Sequence, residues 1–279
     1  MPDETKREHT YHAEATVLTG HLRLPLAQEI KPQAYLKLRD QGGYLSQHSS
    51  EYRVEGVVSF RSAYTQVAGN LDSKTGHGWN TLSTSVVEDL NVMDVVTADR
   101  VVGQISTDHP PSGYVPRVTF LGSRFENLRI AGHPVELDLD TNLFGPKPDS
   151  DAPYTKDPGF LDRISSQYRR IGSHQDLPAD LLERYNRLPS TSENQESIEC
   201  SLVNHADGSY PGRSFGHVIE VPNFGRVYLA VLRLEQSDFQ QARPKRTLIH
   251  LTMIELEMGC IATGKTAIAK CVVNGTSQP

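Results

Sequence analysis

Gly259-Cys260-Ile261-Ala262-Thr263-Gly264-Lys265-Thr266 carries the letters of a phosphate-binding loop, G-x-x-x-x-G-K-[ST]. Such a loop cradles phosphates on backbone N–H groups, sets its Lys on the β/γ-phosphates and lends its Thr hydroxyl to magnesium. That chemistry needs a helix directly after the loop, because the helix N-terminus supplies the N–H groups and the dipole. Here the chain runs on as Ala267-Ile268-Ala269-Lys270-Cys271-Val272-Val273 and then Asn274-Gly275. The β-branched residues predict a last strand. Residues 259–266 then read as a turn between two antiparallel strands, with Gly259 and Gly264 supplying unusual dihedrals.

A second motif, Gly212-Arg213-Ser214-Phe215-Gly216, matches the G-x-S-x-G of a serine nucleophile elbow. An elbow joins a strand to a helix, whereas His217 to Val221 alternate like a strand, so a tight loop is expected. Glu136, Asp138 and Asp140 fall at a period of two. Three carboxylates on one strand face could bind calcium or act as an acid/base pair, but they equally make the solvated face of an antiparallel sheet, the expected reading. The chain has 11 histidines, among them His9, His12, His77, His109, His133, His205 and His217. None stands in H-E-x-x-H or H-x-H spacing, and no C-x-x-C pair accompanies them. No catalytic, cofactor-binding or metal-ligating residue is therefore assigned. Cys200, Cys260 and Cys271 form an odd set. Cys260 and Cys271 could face each other across a hairpin, but reduced, buried thiols are expected.

The elements that must hold these residues are mostly strands. Val135 to Asp140 alternates apolar and acidic side chains. From 248 to 257, Leu248, His250, Thr252, Ile254 and Leu256 fall on one face, and Ile249, Leu251, Met253, Glu255 and Glu257 on the other. A period of two marks a half-buried strand. Strands are predicted from Val54 to Val67 (one strand or a bent pair), Leu82 to Val92, Val95 to Ile105, Val118 to Phe120, Phe125 to Ile130, Val135 to Leu139, Gly216 to Val221, Gly225 to Leu234, Thr247 to Met258 and Thr266 to Val273. Gly69-Asn70 and Gly76-His77-Gly78 read as turns, and Ala131-Gly132-His133 as a hairpin connection. One stretch is helical: Asp157-Pro158 is a helix start, followed by Phe160, Leu161, Ile164, Tyr168 and Ile171 at helical spacing. Pro178 opens a second short helix that ends at Pro189.

The fold expected is mainly β, an antiparallel β-sandwich or β-roll with a helical insertion near residues 155–190. Residues 1–12 read as a polar arm, 13–274 as one domain interrupted at 146–197, and 275–279 as a tail. The insertion is expected to cover a sheet edge or face, shielding free strand N–H and C=O groups. A length of 279 residues suffices for a core without staples, and 37 % apolar content suits thin β layers with polar loops. The net charge is −6 and no Lys/Arg cluster interleaves with aromatics, so neither nucleic acid nor an anionic membrane is an expected partner. The short run Arg243-Pro244-Lys245-Arg246 reads as a solvated turn. Met1 to Glu8 is polar, so a cytoplasmic location is expected for the chain as it stands, or a secreted or surface location if a leader has been removed.

Thr81 to Val92 (TLSTSVVEDLNV), Val95 to Val101 (VVTADRV), Phe125 to Val135 and Val221 to Leu229 resemble a pattern of the bacterial choice-of-anchor P family, β-rich surface-associated domains. The resemblance covers about residues 80–140 and 216–274. It implies a β-rich, surface-presented domain and carries over no catalytic residue.

The expected function is that of a non-enzymatic structural or binding protein acting through a presented surface, with a protein or glycan partner and possible self-assembly. The alternative is a hydrolase acting on a glycan or ester, its site gathered from distant residues such as His77, Trp79, His109 and Asp138. A pocket lined by those residues favours the enzyme. An open strand edge or flat apolar patch favours the binding protein.

Overall fold

The computed structural model describes residues 9–25, 27–54, 56–72, 78–147, 152–189, 197–237 and 246–276. The long strands are β1 (Ala13–Leu24), β2 (Ser62–Leu71), β3 (Trp79–Val92), β4 (Val96–His109), β5 (Ser197–Ser201), β6 (Val218–Val221), β7 (Gly225–Ser237), β8 (Arg246–Gly259) and β9 (Thr263–Asn274). Two helices, α1 (Pro158–Gly172) and α2 (Ala179–Asn186), lie between β4 and β5. One sheet runs Arg213–Phe215, β6, β7, β8, β9, β1, Gln28–Gln33, with β5 also on β7. The second is built on β4, β3 and β2, with Gly43–Ser49 outside β2. All pairings are antiparallel.

The two sheets face one another as a sandwich. Ser83 and Ser85 of β3 donate to the carbonyls of Glu14 (2.6 Å) and Thr16 (3.0 Å) of β1, and the Cys271 thiol donates to Gly103 O at 3.2 Å. Ala13, Ala15, Val17, Val87, Val101, Ile105, Ile249, Leu251 and Val273 fill the space between them.

Side-chain alternation does not run unbroken along the first sheet. In β8, Ile249, Leu251 and Met253 are buried, but so are Ile254 and Leu256, while Glu255 ion-pairs with Arg233, the cross-strand partner of His250. The inward parity therefore changes between Met253 and Ile254. The neighbours change at the same level: Leu232 gives way to Leu229 in β7, Cys271 to Ile268 in β9, and Val17 to Leu18 in β1. Ala230 (φ 47°) and Ala269 (φ 52°) sit at the break in left-handed conformation. A single left-handed residue turns the peptide over and reverses which face the next side chain takes. The two faces expected for residues 248–257 are corrected accordingly. Ile254 and Leu256 join Ile249 and Leu251 inside, and His250, Glu255 and Glu257 share the outer face.

Local chemistry explains most other boundaries. Met93 and Asp94 are both left-handed and close the β3–β4 hairpin, with Asn91 Oδ1 accepting from Asp94 N at 2.8 Å. Ala131 and Gly132, also left-handed, join Arg129–Ile130 to His133–Pro134 as expected. The Asp157 carboxylate accepts from Phe160 N at 2.7 Å and Pro158 occupies the first turn of α1.

Three expectations are corrected. Gly69-Asn70 is not a turn, since β2 continues to Leu71 opposite Trp79. Residues 9–12 of the expected arm are packed. Tyr11 is 6 % exposed, its N–H donates to Asp40 O, and His9 stacks on Trp79. At the other end, Gly275 N donates to Thr247 O, and the buried Thr276 hydroxyl accepts from Thr247 N. Residues 1–8 and 277–279 lie outside the described residues.

The helical insertion covers an edge, as expected. Gln167 of α1 donates to Ser201 O (2.7 Å) and accepts from Ser201 N (3.1 Å), while the Tyr168 hydroxyl donates to Glu199 O at 2.6 Å. The outer edge of β5 thus meets side-chain groups where another strand would lie.

Candidate functional site

One cross-strand row on the outer face of the first sheet gathers an ordered set of charges. Register places Arg213 opposite Glu220, Glu220 opposite Arg226, Arg226 opposite Glu257, Glu257 opposite Lys265, Lys265 opposite His21 and His21 opposite Glu29. Sign alternates over the five strands from Arg213 to Lys265, and the row then continues through His21 to Glu29. Directly opposed opposite charges are the favourable cross-strand arrangement, each worth about 0.2–1 kcal/mol. Several rungs close into contacts: Arg213 Nε to Glu220 Oε2 is 3.0 Å, Arg226 Nε to Glu220 Oε1 is 3.5 Å, and Lys265 Nζ pairs with Glu257. Asp180 of α2 adds a second carboxylate to Arg226. The Arg226 hydrogen bond holds Asp180 below the usual carboxylate range.

This ladder lines an open cleft of about 710 Å³ at the β8–β9 hairpin end of the sheet. Its walls include His21, Arg23, Arg226, Glu257, Met258 and Lys265. Backbone packing at the cleft needs glycine. A Cβ on Gly225 (φ +132°) would stand 2.0 Å from Glu257 O, and one on Gly264 (φ +151°) 2.2 Å from His21 O.

Behind the ladder, the helices seal a second charged group. Glu199 accepts from Arg184 Nε (2.8 Å), Arg233 Nε (2.8 Å) and the Tyr185 hydroxyl (3.2 Å). Arg233 also reaches Glu255 at 2.6 Å, and the Arg184 guanidinium lies 4.7 Å from the Tyr228 ring centroid. Tyr228 donates to Glu257 at 2.8 Å, which links the buried group to the ladder. Burial would raise the Glu199 carboxyl, but the Arg184 and Arg233 guanidinium groups outweigh it and hold it low. Burial pushes the Tyr185 and Tyr168 hydroxyls up. The Tyr185 oxygen also lies 3.1 Å from His217 Nε2. With its proton directed at Glu199, the hydroxyl oxygen accepts from a protonated Nε2, the tautomer the network requires.

His217 is fully buried, and desolvation lowers its pKa to about 4. The unfolded chain takes up this proton near 6.5, the folded chain only near 4, so between those values the unfolded state binds more protons. Stability from this group is complete above pH 6.5 and falls as pH drops to 4, by up to about 3 kcal/mol. Denaturant midpoints across that window should show the slope, and His217→Gln should flatten it. An unchanged slope would mean that the imidazole is not held neutral.

The structure disperses the sequence candidates. Residues 259–266 form the β8–β9 hairpin, Gly259 opposite Thr263, with no helix after Thr266, as expected. Only Gly264 of its two glycines has positive φ. Lys265 is bound to Glu257. Arg213–Phe215 pairs antiparallel with β6, so Ser214 stands on no elbow, and its hydroxyl lies 3.4 Å from Gly216 O. Asp138 accepts from Asn204 (2.9 Å) and Asp140 from Asn142 N (3.0 Å), beside a two-stranded sheet of Glu136–Leu139 with Val203–Asp207. Trp79 and His109 are direct cross-strand partners, joined by His9 (ring centroids 5.1 and 4.5 Å). Asp138 is on a different sheet, and His77 lies outside the described residues, as does most of 243–246. Among the described residues no group of three or more His, Cys, Asp or Glu could hold a metal ion. The three thiols are free. Cys200 and Cys271 are buried as expected, but Cys260 is exposed at the hairpin tip, while Cys271 lies well along β9 opposite Leu251 in the core.

A family model described as "Domain of unknown function (DUF8256)" matches residues 9–235. The chain belongs to this family. No curated protein and no solved structure matches it. The matched DUF8256 stretch contains β1 to β6, β7 as far as Glu235, and both helices, and with them Glu199, His217 and Arg226. It stops before β8 and β9, which carry Glu257 and Lys265. No helix among the described residues is long and apolar enough to cross a membrane. Sequence reading missed the ladder and the Glu199 group. Their only local signal is one charged residue near the same end of each strand, and register, which is non-local, turns that into a row.

Proposed function

We propose that this chain is a non-enzymatic binding protein that works through a presented surface, and that the surface is the ladder-lined cleft. The observation that carries the reading is the alternation of charge over five adjacent strands, from Arg213 to Lys265, along the cleft. A row of fixed donors and acceptors at strand spacing suits a partner with arrayed polar groups, a glycan or a polar protein segment. Mutual pairing of the rungs preorganises them, which reduces the cost of ordering side chains on binding.

Glycan and peptide arrays probed with the wild-type chain test it, beside the double variant Arg23→Glu, Lys265→Glu. Both residues are exposed on the cleft wall, and Lys265 retains 71 % side-chain exposure. Lys265→Glu sets a carboxylate opposite Glu257 and should cost about 1 kcal/mol of stability, so a thermal melt checks that the double variant is folded. Binding that the wild type shows and the folded double variant loses is the expected result. No binding to either array, binding indifferent to the double change, or turnover of ester or glycoside substrates would overturn the proposal.

A further inference from the structure

The cleft has one wall that the ladder does not use up. Its charged lining sets Arg23, Arg226 and Lys265 against Glu220 and Glu257, three cations to two carboxylates, on a chain of net charge −6. All but Arg23 are committed. Arg226 is held by Asp180 and Glu220, and Lys265 by Glu257. Glu220 also binds Arg213, and Glu257 the Tyr228 hydroxyl. Arg23 is exposed, and among the described residues its side chain has no hydrogen-bond or ion-pair partner. The same holds for His21, two residues before it.

Backbone geometry sets Arg23 apart. On β9, Gly264 stands opposite Leu22 and Thr263 opposite Leu24, so Arg23 is an extra residue with no counterpart. A bulge of this kind re-aims its side chain, and bulges are over-represented next to active sites. Leu22 is buried, which leaves His21 and Arg23 together on the outer face. Gly225, Gly259 and Gly264 add only backbone to the lining, and no Phe, Tyr or Trp belongs to it. A neutral sugar would find no aromatic ring to stack on, so charged and polar contacts must supply the affinity. Each strand that lines the cleft has a partner strand on both sides, so an extended peptide finds no free edge to pair with.

We infer that the cleft takes an acidic glycan, with Arg23 as the residue that selects a sugar carboxylate. This rests on the reading of the cleft as the binding surface and adds the class of its ligand. A guanidinium matches a carboxylate with two parallel N–H donors. The sugar hydroxyls then meet the committed rungs, donating to Glu220 and Glu257 and accepting from Lys265, while the His21 imidazole offers a further polar contact. With its anion on Arg23, the ligand leaves the existing ion pairs intact, and no rung has to give up its partner.

Isothermal titration of the whole chain tests the assignment with tetramers of galacturonate, mannuronate and guluronate. Each is set beside its methyl ester, which has the same sugars without the charge. At least one uronate is expected to bind, with its ester about tenfold weaker or more, the size of a lost charge-assisted hydrogen bond. Arg23→Gln should weaken that uronate by a similar factor and remove the difference between uronate and ester. The position is exposed, so a matching thermal melt will show that the variant is folded. Equal binding of uronate and ester, or uronate binding untouched by Arg23→Gln, would overturn the inference and leave the cleft a binding surface for another ligand. Failure of every uronate, while a neutral glycan or a peptide binds and is lost in Arg23→Glu, Lys265→Glu, would do the same. No binding of any probe would overturn both readings.

Discussion

Replacing Glu199 by Gln is expected to cost about 3 kcal/mol or more in stability. The carboxylate side chain is 18 % exposed and serves Arg184 and Arg233 together, each of them 28 % exposed. An amide keeps the shape but removes the carboxylate that the two poorly solvated guanidinium groups share, leaving Glu255 to Arg233 alone. Removing one partner of a buried ionic group is costly for this reason, even where the intact group adds little over an apolar replacement. Arg124–Glu126 provides the contrast. Both side chains are more than 40 % exposed, and Glu126→Gln should change stability by less than about 1 kcal/mol. Urea unfolding of the two variants against wild type makes the comparison. Hydrogen exchange should also rise first in α2, which is anchored through Arg184 and Tyr185. Equal effects of the two substitutions would show that the buried group is not acting as a unit.

At Ala269 the usual ordering of core substitutions should invert. A buried alanine normally loses stability when its methyl is removed. Here the backbone is left-handed (φ 52°), a conformation costing non-glycine residues about 1–3 kcal/mol and β-branched ones more. Ala269→Gly is therefore expected to be neutral or to stabilise by up to about 1 kcal/mol. Ala269→Val should destabilise by about 3 kcal/mol, because it adds branching to strain where the opposite sheet is close. Only 2.8 Å separates the Ala269 carbonyl from where a Cβ on Gly103 would lie. Equilibrium unfolding of the two variants decides the matter. A glycine variant less stable than the valine one would rule out a left-handed residue at this point.

The sequence and the structure agree where the determining signal is local. The Asp157-Pro158 start of α1, the break at Met93-Asp94 and the hairpin at Ala131-Gly132 are each set by two or three adjacent residues. Strand alternation was legible as well, and with it the mainly β fold. The parity change was not, since nothing in Val-Tyr-Leu-Ala-Val-Leu or Ile-Ala-Lys-Cys-Val announces a left-handed alanine. Only four strands breaking at one level make it favourable. The arm was misjudged from its composition: His9 and Tyr11 look like part of a charged tail until Trp79 and Leu38, far along the chain, supply the surface they pack on. Of the candidate site, Lys265 stood out for the wrong chemistry, as part of a phosphate loop rather than as one rung among several.

The Gln167 amide has a wider meaning for how this domain ends. One primary amide offers a donor and an acceptor at the spacing of a peptide group, so it imitates the backbone of a neighbour that is not there. The first sheet stops growing at Ser201 because α1 supplies that imitation. The intervening helical segment is thus a terminator built into the architecture. A shortened relative that dropped it would have to find another way to finish the sheet.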